Sequence, residues 1–286
     1  MSWPLIAIVG QTASGKTSLA LELAERWNGE IIAADSRTVY RGMDIGTAKP
    51  TAAECKRIPH YLIDIYNPDQ QCTARDFQNL ANDAIKAISA RGKIPFLVGG
   101  SGLYVDAVLF GFNFRGEPDM AQRRQLEVLS VPELQSKLAD RGIQLPANPA
   151  NPRHLVRAIE TNGAVPERSA MRPAAIVLGV NIDKSVLDER IEQRVDAMFA
   201  AGLEVEVQRL RLRYGWECPP MQTIGYQEFR PYFEGQTQIK DVRQAIITHS
   251  RQYAKRQKTW FKRNKSIHWI SNTEEAVAVL TTKMNK

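Results

Sequence analysis

Gly10-Gln11-Thr12-Ala13-Ser14-Gly15-Lys16-Thr17 fits the pattern G-x-x-x-x-G-K-[ST], and its flanks give the match physical meaning. Leu5-Ile6-Ala7-Ile8-Val9 is a continuous apolar run, long enough for one buried strand. After the motif, Leu19, Leu23 and Trp27 recur at helical spacing beside Ala20 and Ala24. A strand, a glycine-bounded loop and a helix start together form a nest of backbone N–H groups that binds phosphate oxygens. Lys16 is placed to reach the outer phosphates and the Thr17 hydroxyl to ligate Mg²⁺. A chance match in a glycine-rich turn would lack this context. A polyphosphate is therefore expected, though the loop alone leaves open which one and what cleaves it.

The 286 residues suffice for one large domain, or for a core carrying an inserted or appended second unit. The 43% apolar content suits a globular protein with a proper core. No apolar run approaches the ~20 residues that span a bilayer, so no membrane partner is expected. The first strand begins within five residues of the start, so no signal peptide is expected. Cys55, Cys72 and Cys218 are scattered without C-x-x-C spacing, indicating neither a disulfide framework nor a zinc site. The cytoplasm is the expected compartment.

Strand patterns recur at Glu30–Ala34, Ile94–Val98, Ala175–Val180 and Ile267–Ile270, with helical patterns at Ala74–Arg91, Ser185–Tyr214 and Ile239–Asn264. This alternation predicts an α/β fold of the P-loop type: a mostly parallel sheet flanked by helices, binding its ligand at the carboxyl ends of the strands. The middle differs. It has little strand signal, breakers at Pro118, Pro132, Pro146, Pro149, Pro152 and Pro166, and short helical patterns at Ala121–Leu129, Pro132–Arg141 and Arg153–Thr161. A helical insertion over residues 113–173 is expected between two parts of the core, 1–112 and 174–286.

Asp35 ends the second strand, where a carboxylate faces the phosphate loop and can act as a general base or bind Mg²⁺ through water; as Asp-Ser it could equally cap a turn. The third strand runs into Gly99-Gly100-Ser101-Gly102 rather than into the aspartate usual in P-loop hydrolases. Those glycines let backbone approach a ligand, and Ser101 offers a hydroxyl there. Transfer of a group away from a diphosphate thus becomes more plausible than ATP hydrolysis. Asp183 and Ser185 read as helix caps. Arg190 and Arg194 share a helix face, either directed at the phosphate loop to neutralise a leaving pyrophosphate or solvated beside Asp188, Glu189 and Glu192. Net charge is +7, and Lys240–Lys265 carries nine Lys and Arg against the single acid Asp241, with Tyr253, Trp260 and Phe261 interleaved. That composition suits RNA, with a solvated helix face and core aromatics as the plain alternative.

Taken in order, these motifs resemble the tRNA dimethylallyltransferases (tRNA isopentenyl, or IPP, transferases). The segments that carry the resemblance are Gly10–Thr17, Asp35–Pro50, Pro59-His60, Leu97–Tyr104, Arg190–Arg194, Gly202-Leu203, Ile224-Gly225-Tyr226 and Ala254–Phe261. The resemblance implies transfer of a dimethylallyl group from dimethylallyl diphosphate to N6 of adenosine 37, beside the tRNA anticodon, with release of pyrophosphate. It implies Asp35 as general base and Ser101 as a hydroxyl near the transferring group. Gly10, Thr12, Ala13, Ser14, Gly15, Lys16, Thr17 and Arg194 would hold the diphosphate, with Mg²⁺ on Thr17. It places Asp35, Ser36, Arg37, Thr38, Ser101, Arg123, Arg153, His154, Leu155, Val156 and Arg157 at tRNA contacts, the partner being the anticodon stem-loop and the enzyme a monomer. The target base would leave its stack to meet the allyl carbon.

Departures from the family pattern are Thr38, commonly Gln, and Ser101, commonly Thr. The insertion looks shorter than usual, with an unusual run at Leu145–Pro152. A P-loop small-molecule kinase with Asp35 as base accounts for the loop but not for the basic C-terminal helix. A non-catalytic RNA-binding protein accounts for the helix but not for Asp35 and Ser101.

Overall fold

The computed structural model describes residues 4–114, 119–164 and 167–284. Pro118 and Pro166, read above as breakers, lie outside the described residues. In chain order the elements are β1 (Ile6–Gly10), α1 (Lys16–Arg26), β2 (Gly29–Ala33), α2 (Ala52–Arg57), β3 (His60–Tyr61), α3 (Ala74–Ala90), β4 (Ile94–Gly99) and α4 (Gly102–Phe110). Then come α5 (Met120–Glu127), α6 (Val131–Asp140), α7 (Pro152–Glu160), β5 (Ile176–Val180), α8 (Lys184–Ala200), α9 (Leu203–Tyr214), α10 (Arg230–Phe233), α11 (Ile239–Phe261), β6 (Ile267–Ile270) and α12 (Thr273–Met284). Two compact units result, one of residues Met1–Leu109 with Met171–Lys286, the other Phe110–Ala170.

In the larger unit the strands form one sheet in the order β3-β2-β4-β1-β5-β6, parallel throughout. The apolar runs do not alternate because β1, β2, β4 and β5 are buried along their whole length, as strands covered on both faces must be. Ile6, Ile8, Phe96 and Leu178 meet Leu19, Leu23 and Ala24 of α1 and Leu280 of α12 in one apolar cluster. Burying side chains of this size contributes roughly 1.5–3 kcal/mol each. With β4 between β1 and β2, the loops leaving these three strands lie side by side at the carboxyl edge, so the phosphate motif, Asp35 and Ser101 are neighbours.

Two departures from expectation have simple causes. The pattern over Ser185–Tyr214 predicts one helix, but α8 ends at Ala200 and α9 starts at Leu203, because Gly202 adopts φ +93°, a left-handed conformation open to glycine. β3 spans only two residues, too few to show any period. Asp183 holds the N-cap position of α8, but its side chain makes no capping hydrogen bond.

The smaller unit is built from α5, α6 and α7 around Leu126, Leu134, Leu138, Leu155, Val156 and Ile159. α6 begins with a Ser130–Glu133 capping box, and α7 with Asn151 accepting from the Arg153 N–H at 3.0 Å ahead of Pro152.

Candidate active site

The phosphate motif folds as a nest. Ala13 (φ +59°) and Gly15 (φ +93°) turn the backbone so that α1 opens with unpaired N–H groups. These border an open cavity of about 300 Å³ lined by Ala13–Thr17, Arg190 and Arg194. Both arginines therefore face the loop, which settles the alternative that spacing left open. Arg190 Nη1 donates to the Ser14 carbonyl at 3.5 Å, and Arg194 Nη2 to the Thr47 carbonyl at 3.4 Å. The half-buried Lys16 ammonium donates to the Gln11 carbonyl. Its pKa falls to about 7, chiefly through burial and then through the Arg194 charge, with Asp35 opposing. Burial likewise lowers the Arg194 pKa, again opposed by Asp35.

Two further cavities adjoin this one. A cavity of about 120 Å³ shares Lys16, Thr17 and Arg194 with it and adds Thr38, His60, Val98, Gly99 and Gly100. A larger one of about 340 Å³ is walled by Ser36, Arg37, Gly46, Ile191, Met198, Ile224, Tyr253 and Arg256 among others. Thr12, Asp35, Thr47, Arg194 and Tyr253 line both of these, so they stand where the two cavities meet.

Asp35 follows β2, with Oδ1 accepting the Arg37 N–H at 2.7 Å and the Thr38 N–H at 3.4 Å. The turn-cap geometry is thus real for one oxygen, while Oδ2 accepts no hydrogen bond among the described residues. Ser101 is buried at the end of β4, its Oγ accepting the Ser36 N–H at 3.0 Å and its own N–H reaching the Ala34 carbonyl at 3.3 Å. Backbone approach this close needs Gly99, where a Cβ would stand 2.0 Å from the Ala34 carbonyl oxygen. Thr38 is buried beside the smaller cavity, and its Oγ1 finds no partner among the described residues.

The positions expected in the smaller unit fall into two groups. Arg153 and His154 are exposed on α7, whereas Leu155 and Val156 are core residues of that unit, 0% and 2% exposed. Leu155 and Val156 therefore cannot present side chains to RNA: α7 alternates faces at helical spacing, and theirs is the apolar one. Arg123 and Arg157 both pair with Glu160, whose side chain is buried.

The basic C-terminal run divides in a similar way. Arg243 pairs with Asp196 and Arg251 with Glu192, so both are neutralised against α8. Phe261 is core, and the Trp260 indole N–H donates to Asp106 at 3.0 Å over Gly102. Lys255, Arg256, Lys262, Arg263 and Lys265 remain exposed. α11 also carries side chains into the site. Gln257, 5% exposed, accepts the Thr12 N–H at 2.7 Å and donates to the Gly100 carbonyl at 3.0 Å. Gln11 Nε2 donates to the Ala254 carbonyl at 3.1 Å. Burial pushes the Tyr253 hydroxyl up to about 12, with Asp35 adding to the rise and hydrogen bonds to Ser101 and Gln257 opposing it.

The IPP transferase family model matches residues 38–264. A tRNA dimethylallyltransferase of Roseiflexus sp. (strain RS-1) is 44% identical over 275 residues, covering 91% of this chain and 90% of the relative. The chain belongs to the IPP transferase family. Among solved structures of this family, the tRNA isopentenylpyrophosphate transferase of Bacillus halodurans is 38% identical, with a TM-score of 0.78 over 99% of this chain and 97% of that one. A eukaryotic dimethylallyltransferase described as acting on tRNA is 26% identical, with a TM-score of 0.77 over 94% of this chain and 74% of that one. Within the family segments, Gln257 and Tyr226 were visible in the sequence only as parts of longer runs. The roles of Gln257 and Tyr253 carry little local signal, because their partners lie far along the chain. One sign was available: a glutamine within a strongly basic helix pattern, one turn from Tyr253 and Ala254, that occupies the apolar face.

Proposed function

We propose that this chain transfers a dimethylallyl group from dimethylallyl diphosphate to N6 of adenosine 37 in tRNA and releases pyrophosphate. The observation that carries the proposal is the junction of cavities. A cation-lined phosphate cavity connects through Lys16, Thr17 and Arg194 to a chamber that Asp35 lines from the other side. Diphosphate enters at the loop, and the flipped base enters the larger chamber. Lys16, Arg190 and Arg194 neutralise the leaving group, so the C1–O bond of the allylic diphosphate breaks with its electron pair on pyrophosphate. The N6 lone pair forms the new bond to C1, and the amine proton passes to the free Oδ2 of Asp35. Ser101, which accepts the Ser36 N–H and is hydrogen-bonded to Tyr253, supplies its hydroxyl beside the reacting centre.

Thr17 is exposed at the start of α1, on the phosphate cavity, and its hydroxyl is the protein ligand we assign to Mg²⁺. Among the described residues no three His, Cys, Asp or Glu side chains form a metal cage. A single hydroxyl beside a phosphate cavity would suit a hard cation such as Mg²⁺, which needs few ligands from the protein. When bound, the ion supplies further neutralisation of the leaving group. We assign anticodon-stem contacts to Ser36, Arg37 and the exposed Lys255 and Arg256, outlying contacts to Arg123, Arg153, His154 and Arg157, and to the buried Thr38 only a place on the wall of the smaller cavity. No helix among the described residues is long and apolar enough to cross a membrane. We place the enzyme in the cytoplasm with its tRNA, acting as a monomer.

The small-molecule kinase alternative is not favoured: β4 ends in glycine, and the relatives are named for prenyl transfer. The test incubates the protein with labelled dimethylallyl diphosphate, unmodified tRNA and ATP as a competing donor. Label on tRNA, lost in Asp35→Ala while tRNA affinity stays within severalfold, is the expected result. Phosphate transfer from ATP, or full activity in Asp35→Ala, would overturn the assignment.

A further inference from the structure

Glu206 lies on α9, a helix that contributes no residue to the three cavities. It is nevertheless 5% exposed, and its carboxylate accepts four hydrogen bonds. Oε2 takes the N–H groups of Asp44 and Ile45, each at 2.9 Å, and Oε1 takes the N–H of Gly46 at 3.0 Å and the Tyr226 hydroxyl at 2.7 Å. Three successive backbone N–H groups converging on one anion make a nest, and here the anion belongs to the protein. A buried carboxylate is tolerated only when its lone pairs are filled by well-aimed donors, so the four partners hold one another in a single geometry.

The residue that follows this nest is Thr47. Its carbonyl accepts from Arg194, and it lines both cavities at their junction. The surrounding contacts leave the loop little freedom. The Tyr226 ring lies against Gly46 so closely that a Cβ there would come within 2.6 Å of it. One turn along α9, Arg209 donates to the Gly42 carbonyl at 3.0 Å. The far end is pinned by Lys49, which donates to the Tyr40 carbonyl at 2.7 Å and to Asp44 and Asp64 at 2.6 Å each.

We propose that Glu206 is a positioning residue for the diphosphate site: it fixes the backbone of residues 44–47, and through the Thr47 carbonyl it holds Arg194 over the phosphate loop. The proposal rests on the loop holding a diphosphate, as proposed above. Glu206 touches no substrate and acts only through Arg194. Removing its charge frees the Thr47 carbonyl to move and lets the Arg194 guanidinium swing away from Lys16.

The test is a double-mutant cycle read with inorganic pyrophosphate by titration calorimetry, using Glu206→Gln, Arg194→Ala and the pair, with thermal unfolding in parallel. Glu206→Gln is expected to weaken pyrophosphate binding about tenfold, the worth of one charge-assisted hydrogen bond, and to add little once Arg194 is gone. Should Glu206→Gln not fold, Tyr226→Phe removes one donor to the same carboxylate and should weaken binding in the same direction, again not additively with Arg194→Ala. Additive losses, or unchanged affinity with only a lowered melting temperature, would overturn the positioning role. Label transfer to tRNA is scored separately, so a chain that prenylates tRNA yet shows additive losses refutes this proposal alone.

Discussion

Gln257→Ala tests whether α11 holds the phosphate loop. The wild-type side chain is 5% exposed, and both its polar atoms bond backbone from two neighbouring loops: Thr12 at 2.7 Å and Gly100 at 3.0 Å. Alanine leaves one N–H and one carbonyl without partners. At roughly 1–3 kcal/mol for each orphaned buried group, the loss would be about 2–6 kcal/mol if the space stayed dry. Gln257 borders the smaller cavity, however, so water can follow and replace part of what is lost. The expected cost is therefore near the lower bound, about 2–3 kcal/mol of unfolding free energy. Gln257→Leu fills the space without restoring either bond and should cost more than alanine. Urea unfolding measures the stability, and pyrophosphate titration measures the second consequence, a loss of about tenfold in affinity as the Thr12 backbone, released from α11, lets the adjoining nest shift. A Gln257→Ala protein within about 0.5 kcal/mol of wild type and with unaltered pyrophosphate affinity would refute the reasoning.

Lys16 predicts a pH dependence with a definite sign. Its pKa is lowered to about 7, and a bound diphosphate must raise it, because the anion favours the ammonium. Binding therefore takes up a proton above pH 7, and affinity falls by up to about tenfold per pH unit there until the pKa of the bound form is reached. Calorimetry in buffers of different ionisation enthalpy reads the proton directly; equal uptake in Lys16→Met would remove Lys16 as its source. On the surface, Lys255→Glu with Arg256→Glu should weaken tRNA binding and reduce the slope of log affinity against log salt by about two. An unchanged slope would mean that this part of α11 faces away from the RNA.

Much of the fold could be read locally, for reasons specific to its elements. A strand buried on both faces shows itself as an unbroken apolar run, as in Ile6–Val9 and Phe96–Val98, and the helices between such runs dictate parallel crossovers. β3 escaped because two residues hold no period, and the break at Gly202 escaped because a glycine within a periodic pattern can be either a helical residue or a left-handed cap. In the smaller unit the helix positions are legible, and the resemblance implies RNA contacts along the whole run Arg153–Arg157, but within that run Leu155 and Val156 are core.

By itself the sequence determined a strand–loop–helix nest at Gly10–Thr17, with a carboxylate and a hydroxyl at neighbouring strand ends, because those features depend on residues adjacent in the chain. Tertiary structure alone decided that Arg190 and Arg194 face the loop, that Gln257 grips Thr12 from 245 residues away, and that Glu206 organises the backbone of residues 44–46 from 160–162 residues away. The physical reason is range. Periodicity and capping record interactions within a few turns, whereas a buried polar side chain is satisfied by whatever backbone the fold brings to it.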